Sequence, residues 1–466
     1  ESVLGTSVLL VLCFEYDKYN YKMSSCIHKG AIMSNNARRI AYDIIFDVKY
    51  NKAYSNISIN KAFNKNTIDN REKGFVTELV YGTLSRLIYL DYQIEQFLDM
   101  RASKLSKQAK TVLEMGFYQL EFMDSVSDFA SVDESVKLIK KVDNRSAGII
   151  NAVMRKRVKE GKVEYTDKIS DKAKSLSIEF SISEYIARRF LKIYKEEFTR
   201  QLLSSMLEKP SLFIRLNKLR STEAELFENL EQQGIHSKKN DIIDSAYEIS
   251  GMKNIGSNPL FVKGGFVIQD LSSMLAVKAL NPLPGDTVLD ICSAPGGKSF
   301  YIADLMENKG QLDSMDISEH KIQMLKKRAV ELGIDIINTR VMDATVFNEE
   351  MTNRYDKILV DAPCSGFGII RRKPEIRYKS YEDVNQLPEI QYQILSNASK
   401  YLKDTGSLVY STCTLEKKEN IEIVDKFLEN NKEFHLEEEP KELYPHIHNT
   451  DGFFIAKFKK DINKSV

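Results

Sequence analysis

The chain has no tryptophan, and its 466 residues hold only five cysteines, six histidines and ten prolines. Five cysteines over that length cannot build a disulfide framework, so a reduced, intracellular protein with free thiols is expected. Cys26 and His28 stand close in sequence, but two ligands do not make a metal site. His446 and His448 likewise lack paired ligands and are read as non-catalytic; no metal is expected. No stretch reaches the ~18 apolar residues that a membrane span needs. The run from Val3 to Phe14 is apolar but shorter, and no basic residue precedes it, which argues against a signal peptide. The expected location is the cytoplasm.

Neither charge sign is in surplus, with Lys+Arg 67 against Asp+Glu 66. That excludes a uniform polycation but not a local patch. Residues 36–168 carry 23 basic and 18 acidic side chains, a net of +5, whereas 255–466 carry 27 and 32, a net of −5. The amino-terminal part is therefore the candidate phosphate-facing element. Hydrophobic residues at 42% and charged residues at 29% are ordinary for globular protein. The length implies two or three domains.

Residues 1–32 are set apart as an extension, disordered or arising from an upstream start, because helical patterning begins only after Met33. Residues 33–163 read as a helical bundle. Proline is absent between 37 and 160, and apolar side chains recur at helical spacing from Ala37 to Ile45, Phe75 to Met100, Val112 to Phe122, Val132 to Ile139 and Ile149 to Val158. The bundle ends in a basic run containing Arg155, Lys156 and Arg157, a candidate RNA contact. Residues 164–254 read as a helical linker and a small α+β module. Ser211–Asn217 alternates like a strand, and the helix from Thr222 to Gln233 stops at Gly234. From 255 to 462 the rhythm is strand–helix–strand. Thr287–Ile291, Gln311–Met315, Ile336–Met342, Lys357–Val360 and Ser407–Tyr410 are compact apolar runs, and helices start near Lys298, Ser318 and Gln386. This alternation predicts a doubly wound, Rossmann-like α/β domain with a parallel sheet, closed by a last strand near Phe453–Phe458.

Three segments carry the chemistry. Val288–Asp290 runs straight into the small-residue loop Cys292-Ser293-Ala294-Pro295-Gly296-Gly297-Lys298 and then a helix. Gly296 and Gly297 permit close backbone approach and positive φ, and the helix start offers free N–H groups to a ligand's polar end. The loop is neither a dinucleotide fingerprint nor a P-loop. Asp316, 19 residues beyond Gly297, ends the next strand and is placed to accept from ribose hydroxyls. Asp343 ends the strand after that, within reach of an adenine. A nucleoside cofactor is expected at this sheet edge.

The second segment, Asp361-Ala362-Pro363-Cys364-Ser365-Gly366, delivers a carboxylate and a thiol past the end of a strand. The third, Ser411-Thr412-Cys413-Thr414, delivers another thiol from the next strand. Free cysteines are usually small buried hydrophobes. Two at neighbouring strand ends fit covalent catalysis on a pyrimidine better. A thiolate added to carbon 6 of cytosine makes carbon 5 nucleophilic enough to take a methyl group. Asp361 would stabilise charge on the ring, and Lys298 would orient the base or support the thiolate.

In this order and spacing, Cys292–Lys298, Asp361–Gly366 and Ser411–Thr414 resemble the bacterial 16S ribosomal RNA cytosine-5 methyltransferases of the RsmB/Sun type. Ala37–Ala41, Leu79–Leu84 and Ile150–Arg155 extend the resemblance to the NusB-like RNA-binding domain of that subfamily, so it covers about 37–460. The resemblance implies an all-α NusB-like bundle, a small α+β module and a class I methyltransferase domain. It implies S-adenosylmethionine as cofactor, held by Cys292, Ser293, Ala294, Pro295, Gly296, Gly297, Lys298, Asp316, Asp343 and Asp361. It implies Cys413 as nucleophile and Cys364 as the thiol that assists release. DNA cytosine methyltransferases instead attack with their Pro-Cys thiol, so this division of roles rests on the resemblance. The sequence departs from the family at Phe367, where a smaller residue is common, and in having no tryptophan. Arg371, Arg372 and Lys373 follow the Pro-Cys loop and are expected to touch RNA phosphates, near a base that must be unstacked to be reached. The expected partner is 16S ribosomal RNA or a small-subunit assembly particle, met by a monomer. A tRNA cytosine-5 methyltransferase and a non-enzymatic RNA-binding or antitermination factor are the rival readings. The helical domain weighs against the first, and intact Cys413, Cys364, Asp361 and Lys298 weigh against the second.

Overall fold

A computed structural model describes residues 37–98, 104–164, 169–252 and 255–460. The reading of residues 1–32 as an extension lies outside them. The chain divides into two compact units, one holding the described residues up to Lys192 together with Arg371–Lys379, the other holding Ile193–Ile370 and the described residues from Ser380.

The first unit is helical throughout: α1 (Ala37–Tyr50), α2 (Ser55–Lys65), α3 (Asn70–Ser85), α4 (Leu87–Phe97), α5 (Lys107–Phe122), α6 (Asp128–Val142), α7 (Ala147–Glu160), α8 (Lys172–Phe180) and most of α9 (Glu184–Ile193). Side-chain caps fix several starts. Asp69 and Glu72 form a reciprocal capping box on α3, and Ser106, Ser127 and Asp171 cap α5, α6 and α8. Each such cap contributes about 1 kcal/mol. The core is a single apolar cluster that includes Ile45, Leu79, Val80, Leu90, Leu113, Ile139 and Met154. The apolar pattern from Phe75 to Met100 is two helices rather than one. The backbone leaves helical geometry at Arg86, whose N–H bonds to Thr83, and Leu87 N–H donates to Tyr378 Oη.

Tyr378 belongs to the segment Arg371–Lys379, which is distant in sequence but part of this unit. Arg377, 1% exposed, donates from Nη1 to Phe180 O at 2.9 Å, and Glu375 accepts from Ser55 Oγ.

The second unit begins with α10 (Glu196–Ser205). A four-stranded antiparallel sheet follows in the order β2-β3-β1-β4, built from β1 (Leu212–Leu216), β2 (His236–Lys239), β3 (Ala246–Ser250) and β4 (Phe266–Ile268). Between its strands lie α11 (Glu223–Gln232), started by a Thr222–Glu225 capping box, and the short α12 (Pro259–Val262). The larger sheet is entered through α13 (Leu271–Leu280). Its parallel strands β5 (Thr287–Asp290), β6 (Gln311–Asp316), β7 (Ile337–Val341) and β8 (Tyr355–Asp361) alternate with α14 (Gly297–Leu305) and α15 (Glu319–Leu332). Then come α16 (Leu387–Tyr401), β9 (Leu402–Thr412), α17 (Ile421–Asn430), β10 (Phe434–Leu436), β11 (Lys441–Leu443), α18 (Pro445–His448) and β12 (Phe453–Lys460).

The order is β10-β12-β9-β8-β5-β6-β7, with β11 on β12. The sheet is mixed rather than wholly parallel. β12 runs antiparallel to β9, and β10 and β11 run antiparallel to β12. Antiparallel strands at the edge of a parallel sheet are common. Apolar clusters fill both faces, one around Val277, Ile302 and Leu325 and one around Leu395, Tyr401 and Phe427. With both faces covered, the carboxyl ends of β5, β6, β8 and β9 form the available edge. No helix among the described residues is long and apolar enough to cross a membrane.

Candidate active site

The loop after β5 is pinned at several points. Asp290, fully buried, accepts from Ser299 Oγ at 2.6 Å, while its other oxygen has no partner among the described residues. Burial, then the nearby negative charge of Asp361, pushes its pKa up to about 7. Ser293 donates from both N and Oγ to Met315 O, at 2.8 and 3.0 Å, which ties the loop to β6. The Ala294–Pro295 peptide is cis. Gly296 has φ +109°, and a Cβ there would stand 2.5 Å from the Phe300 ring. Gly297 is the first residue of α14 and is not a positive-φ residue, so the expectation of left-handed backbone holds at Gly296 alone.

Strands β8 and β9 bring the two thiols together. Their register pairs Asp361 with Ser411, and Ala362 N donates to Ser411 O at 3.0 Å. Cys364 lies three residues beyond β8 and Cys413 one residue beyond β9; their sulfurs are 3.3 Å apart. The hydrogen bond to Cys413, then burial, raises the Cys364 pKa well above the usual thiol value. Lys298 Nζ bonds Asp361 Oδ2 at 2.7 Å, and Asp361 Oδ1 accepts from Ser411 Oγ at 2.9 Å. Burial opposes the Lys298 charge, but the Asp361 carboxylate and then the Cys413 sulfur outweigh it and raise its pKa. Lys298 also lies 5.3 Å from the centre of the Phe453 ring. The four predicted catalytic residues thus converge.

Beneath the thiols is a buried polar layer that the sequence reading did not find. Glu419, 1% exposed, accepts from Ser365 N at 2.8 Å and Gln391 Nε2 at 2.9 Å. Gln391 Nε2 also reaches Pro363 O at 2.8 Å. Ser365 and Thr414 share a hydroxyl bond of 2.6 Å, and Asn420 donates to Thr414 O while accepting from Thr412 Oγ1. These contacts hold the two cysteine loops against each other. In sequence, Glu416–Asn420 looks like a solvated charge run, and no local signal sets Glu419 apart.

The other predicted residues fall in different places. Asp316, at the end of β6, accepts from Ala294 N at 3.3 Å and Ser318 N at 2.9 Å. Asp343 lies two residues past β7 and accepts from Thr345 N and Oγ1, which lowers its pKa. Burial, then the neighbouring carboxylates, pushes the pKa of the Cys292 thiol up. Arg371, Arg372 and Lys373 are half-buried and belong to the first unit. There, Arg155 is exposed and Lys156 half-buried, but Arg157 turns inward, 8% exposed, and pairs with Glu121 at 3.2 Å.

The ground before α14 fits a nucleoside cofactor. Beyond its chain neighbours and the helix backbone, a Cβ built on Gly297 meets one atom within 4 Å, so there is room beside the first residue of α14, whose end carries free N–H groups. Asp316 stands across this ground at the end of β6, as the topological rule for such sheets requires.

A glycine-turned loop after the first parallel strand, an acid on the second and an antiparallel strand beside the last define a class I methyltransferase. Comparison with known proteins agrees along the chain. Residues 277–459 match the family model for 16S rRNA methyltransferase RsmB/F, 35–159 the NusB family, and 182–255 a ferredoxin-like domain of RsmF/B-like methyltransferases. A probable ribosomal RNA small subunit methyltransferase B from Bacillus subtilis is 36% identical, covering 91% of this chain and 98% of the relative. Its counterpart from Synechocystis is 29% identical over 91% and 99%. Among solved structures, the crystal structure of PH0851 has a TM-score of 0.78 at 25% identity, covering 92% of this chain and all of that one. A methyltransferase homologue from Pyrococcus horikoshii gives 0.57 at 28% identity over 63% and 100%. The chain belongs to the 16S rRNA methyltransferase RsmB/F family and carries that family's NusB domain. It is an S-adenosylmethionine-dependent rRNA methyltransferase.

Proposed function

We propose that the enzyme methylates carbon 5 of a cytosine in 16S ribosomal RNA through a covalent bond to Cys413. The observation that carries this reading is the 3.3 Å approach of two free thiols at neighbouring strand ends, beside the Lys298–Asp361 pair. A methyltransferase acting on an already nucleophilic nitrogen or oxygen needs no thiol. A cytosine carbon 5 needs one, because the aromatic ring must first be saturated at carbon 6.

Two thiolates this close cannot both carry charge. Lys298 feels the charge of Cys413, whereas the hydrogen bond to Cys413, then burial, raises the Cys364 pKa. This supports Cys413 as the thiolate that attacks carbon 6. Asp361 and Lys298, paired at 2.7 Å, would bond the ring's polar edge as charge develops there. When bound, S-adenosylmethionine supplies an electrophilic methyl group, and carbon 5 of the enamine-like adduct accepts it. Transfer of the carbon-5 proton to solvent water acting as base re-forms the carbon 5–carbon 6 double bond as the carbon 6–sulfur bond breaks and returns the Cys413 thiolate, with the Cys364 thiol 3.3 Å away to hydrogen-bond the departing sulfur.

Cys292–Lys298, Asp316, Asp343 and Asp361 would hold the cofactor. The first unit, with Arg155, Lys156 and the cations at 371–373, would grip RNA phosphates. The test is nucleoside analysis of 16S rRNA transcript and of bulk tRNA after incubation with methyl-labelled S-adenosylmethionine. Labelled 5-methylcytidine from the rRNA is expected. Label in another nucleoside, or only in tRNA, would overturn the reading.

A further inference from the structure

Arg215, in the middle of β1, is 1% exposed. Its Nη1 donates to Asp304 Oδ2 at 2.7 Å and its Nε to Gln269 Oε1 at 3.0 Å, with the guanidinium 4.5 Å from the centre of the Tyr301 ring. A guanidinium can only donate, so Gln269 must turn its oxygen to Arg215 and its amide nitrogen away. Gln269 is 5% exposed, and its Nε2 is buried with no partner among the described residues. Leaving such a donor unpaired costs roughly 1–3 kcal/mol, so native structures pair nearly all of them.

The position of Nε2 is informative. Chain neighbours and the helix backbone aside, it is the one atom within 4 Å of a Cβ built on Gly297, at 3.9 Å. A buried, unpaired donor therefore lies beside the start of α14. The helix start favours an anion there. Asp316 marks the ribose side of that ground, over β6. Gln269 immediately precedes the helix cap Asp270, and α13 packs on β8, β9 and β12. It therefore approaches from the opposite side, where a nucleoside lying along the sheet edge places its other end.

We propose that Gln269 Nε2 donates to the carboxylate of the cofactor's amino-acid end, and that Arg215 and Asp304 act as positioning residues that lock the amide in this orientation. Gln269 lies outside the segment matched by the methyltransferase family model, in a stretch contributed by the smaller sheet. The inference rests on the cofactor alone, not on the target base or the roles of the thiols.

Calorimetric titration of Gln269→Glu and Gln269→Asn tests it. The probes are S-adenosylhomocysteine and 5′-methylthioadenosine, which keeps the nucleoside but lacks the amino-acid end. Glu keeps the bond to Arg215 but replaces the donor with an anion; Asn withdraws a neutral amide by one methylene. The Kd for S-adenosylhomocysteine should rise by about tenfold or more in both variants, the loss of one charge-assisted hydrogen bond. The Kd for methylthioadenosine should stay within about twofold. An unchanged Kd for S-adenosylhomocysteine, or equal weakening of both probes, overturns the proposal. Should Gln269→Glu fail to fold, Gln269→Asn carries the same comparison. Failure of the wild type to methylate cytosine would overturn the proposed reaction and leave this binding result standing.

Discussion

Gly368 and Gly452 meet backbone to backbone: Gly452 N donates to Gly368 O at 2.9 Å, and a Cβ on Gly368 would fall 1.8 Å from Gly452 O. Gly368 N in turn donates to Cys413 O at 3.0 Å. The contact thus joins the end of the Pro-Cys loop, the residue bearing the second thiol and the residue before β12.

Gly368→Ala has nowhere to place its methyl, because the opposing atoms are backbone. It should destabilise the protein by at least ~2 kcal/mol, the cost of overpacking a rigid site. Gly297→Ala, by comparison, adds a methyl to open ground, so it should leave stability within about 1 kcal/mol and weaken cofactor binding instead. Thermal unfolding of both variants, with and without S-adenosylhomocysteine, separates the two effects. Equal stability loss in both would contradict this assignment.

Glu419 positions the Cys364 loop through Ser365 N and Gln391. Burial, opposed by these hydrogen bonds, raises its pKa. Glu419→Ala should strip the loop of both contacts and cost roughly 1–3 kcal/mol for the orphaned groups. It should also slow methyl transfer tenfold or more with cofactor affinity unchanged. Glu419→Gln preserves an acceptor for Ser365 N and should recover most of the rate. Loss of cofactor binding in Glu419→Ala would place the residue elsewhere in the mechanism.

Asp290 gives a pH signature. Its folded pKa of about 7 lies above the ordinary carboxyl value, so between these pH values the folded state keeps a proton that the unfolded chain has released. Its contribution to stability is therefore complete at low pH, falls as pH rises toward 7, and is level beyond. Asp290→Asn removes this titration. From pH 5 to pH 8, the variant should gain roughly 2–3 kcal/mol on the wild type in urea unfolding. A difference between the two that does not change with pH would contradict the buried, protonated carboxyl.

Replacing Arg371, Arg372 and Lys373 together should weaken rRNA binding and flatten its salt dependence. Each lost phosphate contact lowers the slope of log affinity against log salt by about 0.7–0.9. An unchanged slope would remove these residues from the interface.

Much of the methyltransferase unit was legible because its strands are short apolar runs with glycine, proline and acidic residues at their ends. β5, β6, β7 and β8 fall on the runs read from sequence, and Asp361, Cys364, Cys413 and Lys298 meet as their strand ends imply. Contacts made over long sequence separations were not legible. Glu419 and Asn420 belong to a polar run, yet both are 1% exposed because partners around Ser365, Gln391 and Thr412 enclose them. Arg377 looks like one more cation of a surface loop, but its guanidinium is buried against Phe180, 197 residues away. Arg157 likewise sits in a basic run and turns inward to Glu121. Charge runs report exposure on average; an arginine with a buried acceptor or carboxylate is the exception that composition cannot reveal.

The central claim is that Cys413 attacks and Cys364 releases. The direct measurement is a denaturing gel of wild type, Cys413→Ala and Cys364→Ala after incubation with 16S rRNA transcript and labelled S-adenosylmethionine. The account predicts turnover without adduct for the wild type, no label for Cys413→Ala, and a heat-stable protein–RNA band for Cys364→Ala. An adduct that forms in Cys413→Ala, with Cys364→Ala inert, would contradict it.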